Sequence, residues 1–101
     1  MAAIVTVAGE LIGAPEYQET AHGKTAVFYL SVMTRHRVDD EWIDDPPVTY
    51  RVVTTDEESI GVAASLAEGS RVLVSGLLHS TQQPPVIEAD GVSLSLNFRR
   101  R

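Results

Sequence analysis

The chain has 101 residues, 44% of them apolar, which sets it as one globular domain around one core. It contains no cysteine, so disulfides, a thiol nucleophile and a cysteine zinc site are excluded, and no apolar run is long enough for a membrane-spanning helix. The formal net charge of -6 opposes any polyanionic partner, so contact with one must run through local basic patches.

Three of the eight basic residues are Arg99, Arg100 and Arg101. The opening Met1-Ala2-Ala3-Ile4 lacks a basic region and a cleavage site, so no signal peptide and a cytoplasmic location are expected. Ala3 to Leu11 reads as the first strand, carrying Gly9 in its middle. Gly13-Ala14-Pro15-Glu16 reads as a turn or loop, because Pro15 lacks the N–H a central strand needs. His22-Gly23-Lys24 is a second turn. Thr25 to Met33 is the second strand, with Ala26, Phe28, Leu30 and Val32 on one face and Thr25, Val27, Tyr29, Ser31 and Met33 on the other.

Arg35 to Pro47 reads as a long acidic hairpin loop with one aromatic anchor, Trp42. Val48 to Thr54 is the third strand. The period then changes: Ile60, Ala63, Ala64 and Ala67 mark one face of a short helix. Thr55 and Glu58 resemble a capping box at its start, and Gly69 is expected to end it. Arg71 to Leu78 is a strand apolar on both faces, hence central, with Gly76 marking a bulge or bend. His79 to Pro85 is a loop, Val86 to Ala89 a short strand, Asp90-Gly91 a turn or bulge, and Val92 to Phe98 the final strand pattern.

The order β-β-β-α-β-β, with kinked strands and a lone helix before the fourth, predicts an all-β, five-stranded OB-fold Greek-key barrel over residues 1–98. Residues 99–101 form a basic end. A plain antiparallel sheet with one helix is the competing arrangement.

Candidate contact residues for a polyanion are Arg35, His36 and Arg37, a basic cluster after the second strand, and Arg51 beside Tyr50 on the third. The alternative for the cluster is a solvated hairpin base paired with Asp39 and Asp40; for Arg51 it is pairing with a neighbouring strand. Arg99, Arg100 and Arg101 are either a basic arm or a frayed end. Tyr29 faces out of the barrel, as a stacking surface or a subunit contact. Trp42 sits among carboxylates that repel phosphate, so it is expected to pin its loop rather than stack on bases. Lys24 is a lesser phosphate candidate.

Asp39, Asp40, Glu41, Asp44 and Asp45 lack the spacing and central glycine of a calcium loop. His22, His36 and His79 lack zinc-ligand spacing. No serine stands in a nucleophile elbow. An enzyme is therefore not expected, nor a metal or other cofactor.

Several stretches resemble the bacterial single-stranded-DNA-binding proteins. They are Val5-Thr6-Val7-Ala8-Gly9-Glu10-Leu11 with Ala14-Pro15-Glu16; His22 to Val32; Tyr50-Arg51-Val52-Val53; and Leu66-Ala67-Glu68-Gly69-Ser70-Arg71-Val72-Leu73-Val74-Ser75-Gly76-Leu77. The ending Glu88 to Phe98 is similar to actinobacterial members. The resemblance implies an OB fold, dimers or tetramers, sequence-independent binding of single-stranded DNA in replication, repair or recombination, and no cofactor. It also implies bases stacked on aromatics with basic groups along the backbone.

Typical members carry aromatics at positions matching His36, Thr49, Thr55 and Gln83, none of which is Trp, Phe or Tyr in this chain. The loop between the last two strands is short and no acidic tail follows, as in tail-less primosomal relatives. The chain thus reads as a reduced paralogue that binds single-stranded DNA. The alternative is an oligomerisation or interaction module of weak DNA affinity, paired with a longer paralogue or a replication protein.

Overall fold

The computed structural model describes residues 2–21 and 23–94. Strand β1 (Ala2–Thr20) is long because it serves two neighbours. Its first half pairs antiparallel with β6 (Arg71–His79), and its second half with β2 (Gly23–Val32). Glu10 stands in both ladders, opposite Ser31 and Arg71. β2 pairs with β5 (Val48–Thr54), which runs parallel to β7 (Val86–Leu94), and β7 pairs with β6. The order β1-β2-β5-β7-β6 closes a barrel, the predicted OB arrangement. Closure gives every strand of the barrel two neighbours, β1 meeting β6 along its first half and β2 along its second.

Period-two alternation decides what fills the barrel. Ala26, Phe28, Leu30 and Val32 of β2 are buried, with Leu11, Val52, Val72, Val74 and Ile87 from the other strands. Deleting a ring such as Phe28 from a core like this costs about 3–5 kcal/mol. The buried Thr54 hydroxyl donates to the Ala89 carbonyl (3.0 Å) and accepts from the Asp56 N–H (3.2 Å), so it is not left unsatisfied.

Several boundaries differ from the sequence reading. β1 does not stop before Gly13. Instead its register with β2 slips between Ile12 and Glu16, with Gly13 at φ 72°, and Pro15 falls inside that irregularity, where no ladder donor is required. The 35–47 segment is not simply a loop. It forms a two-stranded sheet of β3 (Arg35–Val38) and β4 (Glu41–Asp44). β7 continues through Asp90-Gly91, where Ser75 faces Gly91 but Gly76 faces Ala89, leaving Asp90 as the bulged residue. Residues 95–98 of the expected last strand lie outside the described residues.

Helix α1 spans Glu57–Ala63, shorter than the period suggests. Its N-cap is Asp56, not Thr55, because the Asp56 carboxylate takes the Ser59 N–H (2.9 Å) and hydroxyl (3.0 Å). Its buried side is Ser59, Ala63 and the following Leu66; Ala64 and Ala67 are exposed. Gly69 does not end the helix. At φ 89° it turns the later connection back onto β1, where its N–H meets the Leu11 carbonyl (2.9 Å). The burial of β6 alternates rather than being two-sided: Val72, Val74 and Gly76 face in, while Leu73 and Leu77 are exposed. Among the described residues, no helix is long and apolar enough to cross a membrane.

Candidate nucleic-acid interface

The residues that do not face the core form the outer wall. Register sets them in rows. Thr49, Ser31, Glu10 and Arg71 stand opposite one another across β5, β2, β1 and β6. One step along, on the same face, lie Val86, Arg51, Tyr29 and Ile12. Tyr29 and Ile12 are exposed and Arg51 is half-buried.

The β3–β4 hairpin rises from one end of the first row. A cavity of about 370 Å³ lies at its base, lined by Glu10, Ser31, Thr34, Arg35, Asp44 and Arg71 among others. Two arginines distant in sequence thus enter one space, accompanied by two carboxylates. A shallower hollow of about 350 Å³ holds Arg51 with Val53, His79 and Glu88 on the β5–β7 side. Among the described residues, Arg51 and Arg71 have no ion-pair partner. Such cations keep their charge available to a ligand at little desolvation cost.

The hairpin sorts its own side chains by face. Arg35 and Arg37 share a side with Asp44 and Trp42, their opposite residues; His36 and Val38 share the other with Ile43 and Glu41. The guanidinium carbons of Arg35 and Arg37 stand 5.3 and 5.7 Å from the Trp42 ring centroid. His36 Nδ1 is 2.9 Å from Asp45 Oδ1, and the Thr34 hydroxyl donates to Asp45 Oδ2 (3.1 Å), closing the hairpin base. Arg37 reaches Asp40 at 3.3 Å, an exposed pair of small energetic weight. Asp39 and Asp40 occupy a two-residue turn at φ 50° and 67°, where short polar side chains tolerate the left-handed backbone. Two of the five loop carboxylates thereby have a conformational reason to be there.

The predicted residues therefore divide. Arg35, Arg37 and Arg51 reach the outer surface. His36 lies on the far side of the hairpin, tied to Asp45. Tyr50 is on the inner side of β5, half-buried against the core, so Tyr29 rather than Tyr50 accompanies Arg51 outward. Lys24 lines a separate cavity of about 670 Å³ with Tyr17, Glu57 and Ile60, between the β1–β2 end and α1. Arg99, Arg100, Arg101 and His22 lie outside the described residues. Trp42 is 58% exposed and packs across the hairpin against Arg35 and Arg37 of the opposite strand. Sequence alone does not single out Arg71. Alternation marks it as outward, but its meeting with Arg35 depends on pairings between distant strands.

No family profile matches the chain. Single-stranded DNA-binding protein 1 of Tropheryma whipplei (strain Twist) is 40% identical over 82 residues, covering 77% of this chain and 44% of that protein. The chain spans about half the length of the curated relatives it matches. Among solved structures, the small single-stranded DNA-binding protein of Streptomyces coelicolor superposes with a TM-score of 0.80 at 23% identity, covering 98% of this chain and 99% of that one. The Plasmodium falciparum SSB complex with ssDNA gives 0.66 at 21% identity, covering 90% of each chain. These two likenesses establish the shared fold.

Proposed function

We propose that this chain, a relative of the bacterial single-stranded DNA-binding proteins, binds single-stranded DNA without sequence preference along the outer wall described above. The observation that carries the reading is the set of cations on that wall: Arg35, Arg51 and Arg71, none of them in an ion pair among the described residues. A net charge of -6 leaves attraction to phosphate to these local groups. Phosphates repeat identically at every nucleotide, so contacts to them position the strand and carry no sequence information. Arg37 extends the series along the hairpin, and Arg99, Arg100 and Arg101, outside the described residues, complete the candidate set; His36 and Tyr50 face away from this wall. Work on DNA in replication, repair or recombination, in the cytoplasm at the nucleoid, accords with this binding.

The chain also self-associates in this reading. Ile4 opposes Leu77 and Ala8 opposes Leu73 on the outer side of β1 and β6, and Ile4 is 86% exposed. Such an apolar stripe favours a partner over water. Light scattering is expected to give a mass at least double the 11.0 kDa of one chain. A monomer at micromolar concentration contradicts this part.

The binding test is a titration of a fluorescently labelled oligothymidine, read by anisotropy at several salt concentrations. Saturable binding is expected, with log affinity falling against log salt at a slope of roughly -2, about 0.7 for each of three phosphates. No saturable binding at low salt overturns the proposal and favours the interaction module.

A further inference from the structure

Resting on that binding reading, we infer that His79 keeps Arg51 free for phosphate by holding the Glu88 carboxylate away from it. His79 acts through Arg51 and is a positioning residue, not a contact of the DNA. The three side chains come from three strands, and register brings them to one patch of the outer wall. Val86 of β7 stands opposite Arg51 of β5 on one side and opposite His79 of β6 on the other. Glu88, two residues along β7, keeps the same face and lies diagonal to both, within reach of long side chains. All three line the hollow of about 350 Å³, together with Val53, Gln82 and Val86.

One carboxylate therefore has two basic neighbours, and it takes the imidazole. His79 Nε2 donates to Glu88 Oε1. Arg51 is in no ion pair among the described residues, although it shares the hollow with that carboxylate. The division of mobility fits this assignment. The Glu88 side chain is 62% exposed and has room to turn, whereas that of His79 is 32% exposed and is the more fixed of the two. What keeps Glu88 from turning to Arg51 is the bond it already makes.

The hairpin shows the other outcome. Asp40 has no imidazole to hold it, and it pairs with Arg37 at 3.3 Å. A carboxylate beside a cation competes with phosphate for the same guanidinium, and in an exposed site that competition amounts to at most about fivefold in affinity. Were Glu88 to pair with Arg51, the hollow would offer phosphate no unpaired cation.

The test is an anisotropy titration of labelled oligothymidine with the full chain and a set of single and double variants at neutral pH. His79→Leu keeps side-chain bulk but cannot donate, and it weakens binding by about threefold to fivefold. Glu88→Gln alone binds at least as well as wild type, and His79→Leu added to it causes no further loss. His79→Leu added to Arg51→Ala is equally silent. A purely structural role for His79 would not disappear in these two backgrounds. Circular dichroism with matched thermal midpoints shows that the variants are folded, and His79→Ala, read in the same way, replaces His79→Leu if the larger side chain disturbs the strand. Wild-type affinity in the His79 variant overturns the inference and leaves the binding function standing. So does a loss that persists in full in Glu88→Gln, which would make His79 itself a contact. Absence of saturable binding by the wild-type chain overturns both.

Discussion

Gly76→Ala lowers the thermal midpoint by about 12 °C or more, while Gly61→Ala raises it by a few degrees. Gly76 lies where β6 shifts register against β7. A Cβ built there falls 2.1 Å from the Glu88 carbonyl oxygen and 2.7 Å from the Ala89 Cα. Both are backbone atoms of the neighbouring strand, so no rotamer change relieves the clash. Overpacking a core side chain typically costs 1–3 kcal/mol, and forcing two strands apart sits at about 3 or beyond. For a domain of this size each kcal/mol moves the midpoint by roughly 4–8 °C. Gly61 is the opposite case: it sits on the exposed side of α1 with nothing within 4 Å of an added Cβ. Alanine there gains about 1 kcal/mol of helix propensity. Thermal unfolding followed by circular dichroism checks both; equal midpoints for the two variants contradict the close approach of β6 and β7.

Arg35→Glu combined with Arg71→Glu is expected to reduce oligothymidine affinity by about 100-fold with the fold intact. The two side chains line one cavity from different elements, and both residues are exposed. A hydrogen bond to a charged group contributes about 1.5 kcal/mol or more, close to tenfold in affinity. Reversing the charge also sets repulsion against phosphate. The slope of log affinity against log salt flattens by about 0.7 for each phosphate that is no longer neutralised. Glu57→Lys on α1, with the same magnitude of charge change per site, leaves affinity within a few-fold. Anisotropy titration of the three proteins decides it: wild-type affinity in the double variant removes the cavity from the interface.

The architecture is legible in the sequence because it depends on local periodicity. Phe28, Leu30 and Val32 announce an inner face through alternation alone, and they are buried. Gly76 and Asp90 mark places where a strand must bend, and the bulge falls on them. Apolarity on both faces of β6 points to two-sided burial, yet Leu73 and Leu77 face outward. Sequence reports that a residue is apolar, but not whether another copy or water covers it. The helix cap sits one residue later than the capping-box pattern places it. Thr54 and Asp56 share a hydrogen bond beside Ala89, on a strand remote in sequence.

The interface is less legible because it is assembled across distant segments. The basic cluster at Arg35 and Arg37 is visible as nearby letters, and the hairpin turns both toward Trp42. The meeting of Arg35 with Arg71 requires knowing that Glu10 bridges two ladders. Of the acidic neighbours of Trp42 on its own strand, Asp44 shares its face of the hairpin and Glu41 does not. Alternation along β4 separates Trp42 from Glu41 and Ile43, and neighbours in sequence are not neighbours in space on a two-faced ribbon.

Where the strand lies on the barrel is measured most directly by amide chemical-shift mapping of the isotope-labelled chain titrated with oligothymidine. Shifts concentrated on Ser31, Thr34, Arg35, Trp42, Arg51 and Arg71, with Ile60, Gly61 and Ala64 of the helix side unmoved, are the expected result. Shifts gathered around the helix and Lys24 instead, with the hairpin and the outer rows silent, contradict the placement of DNA on this wall.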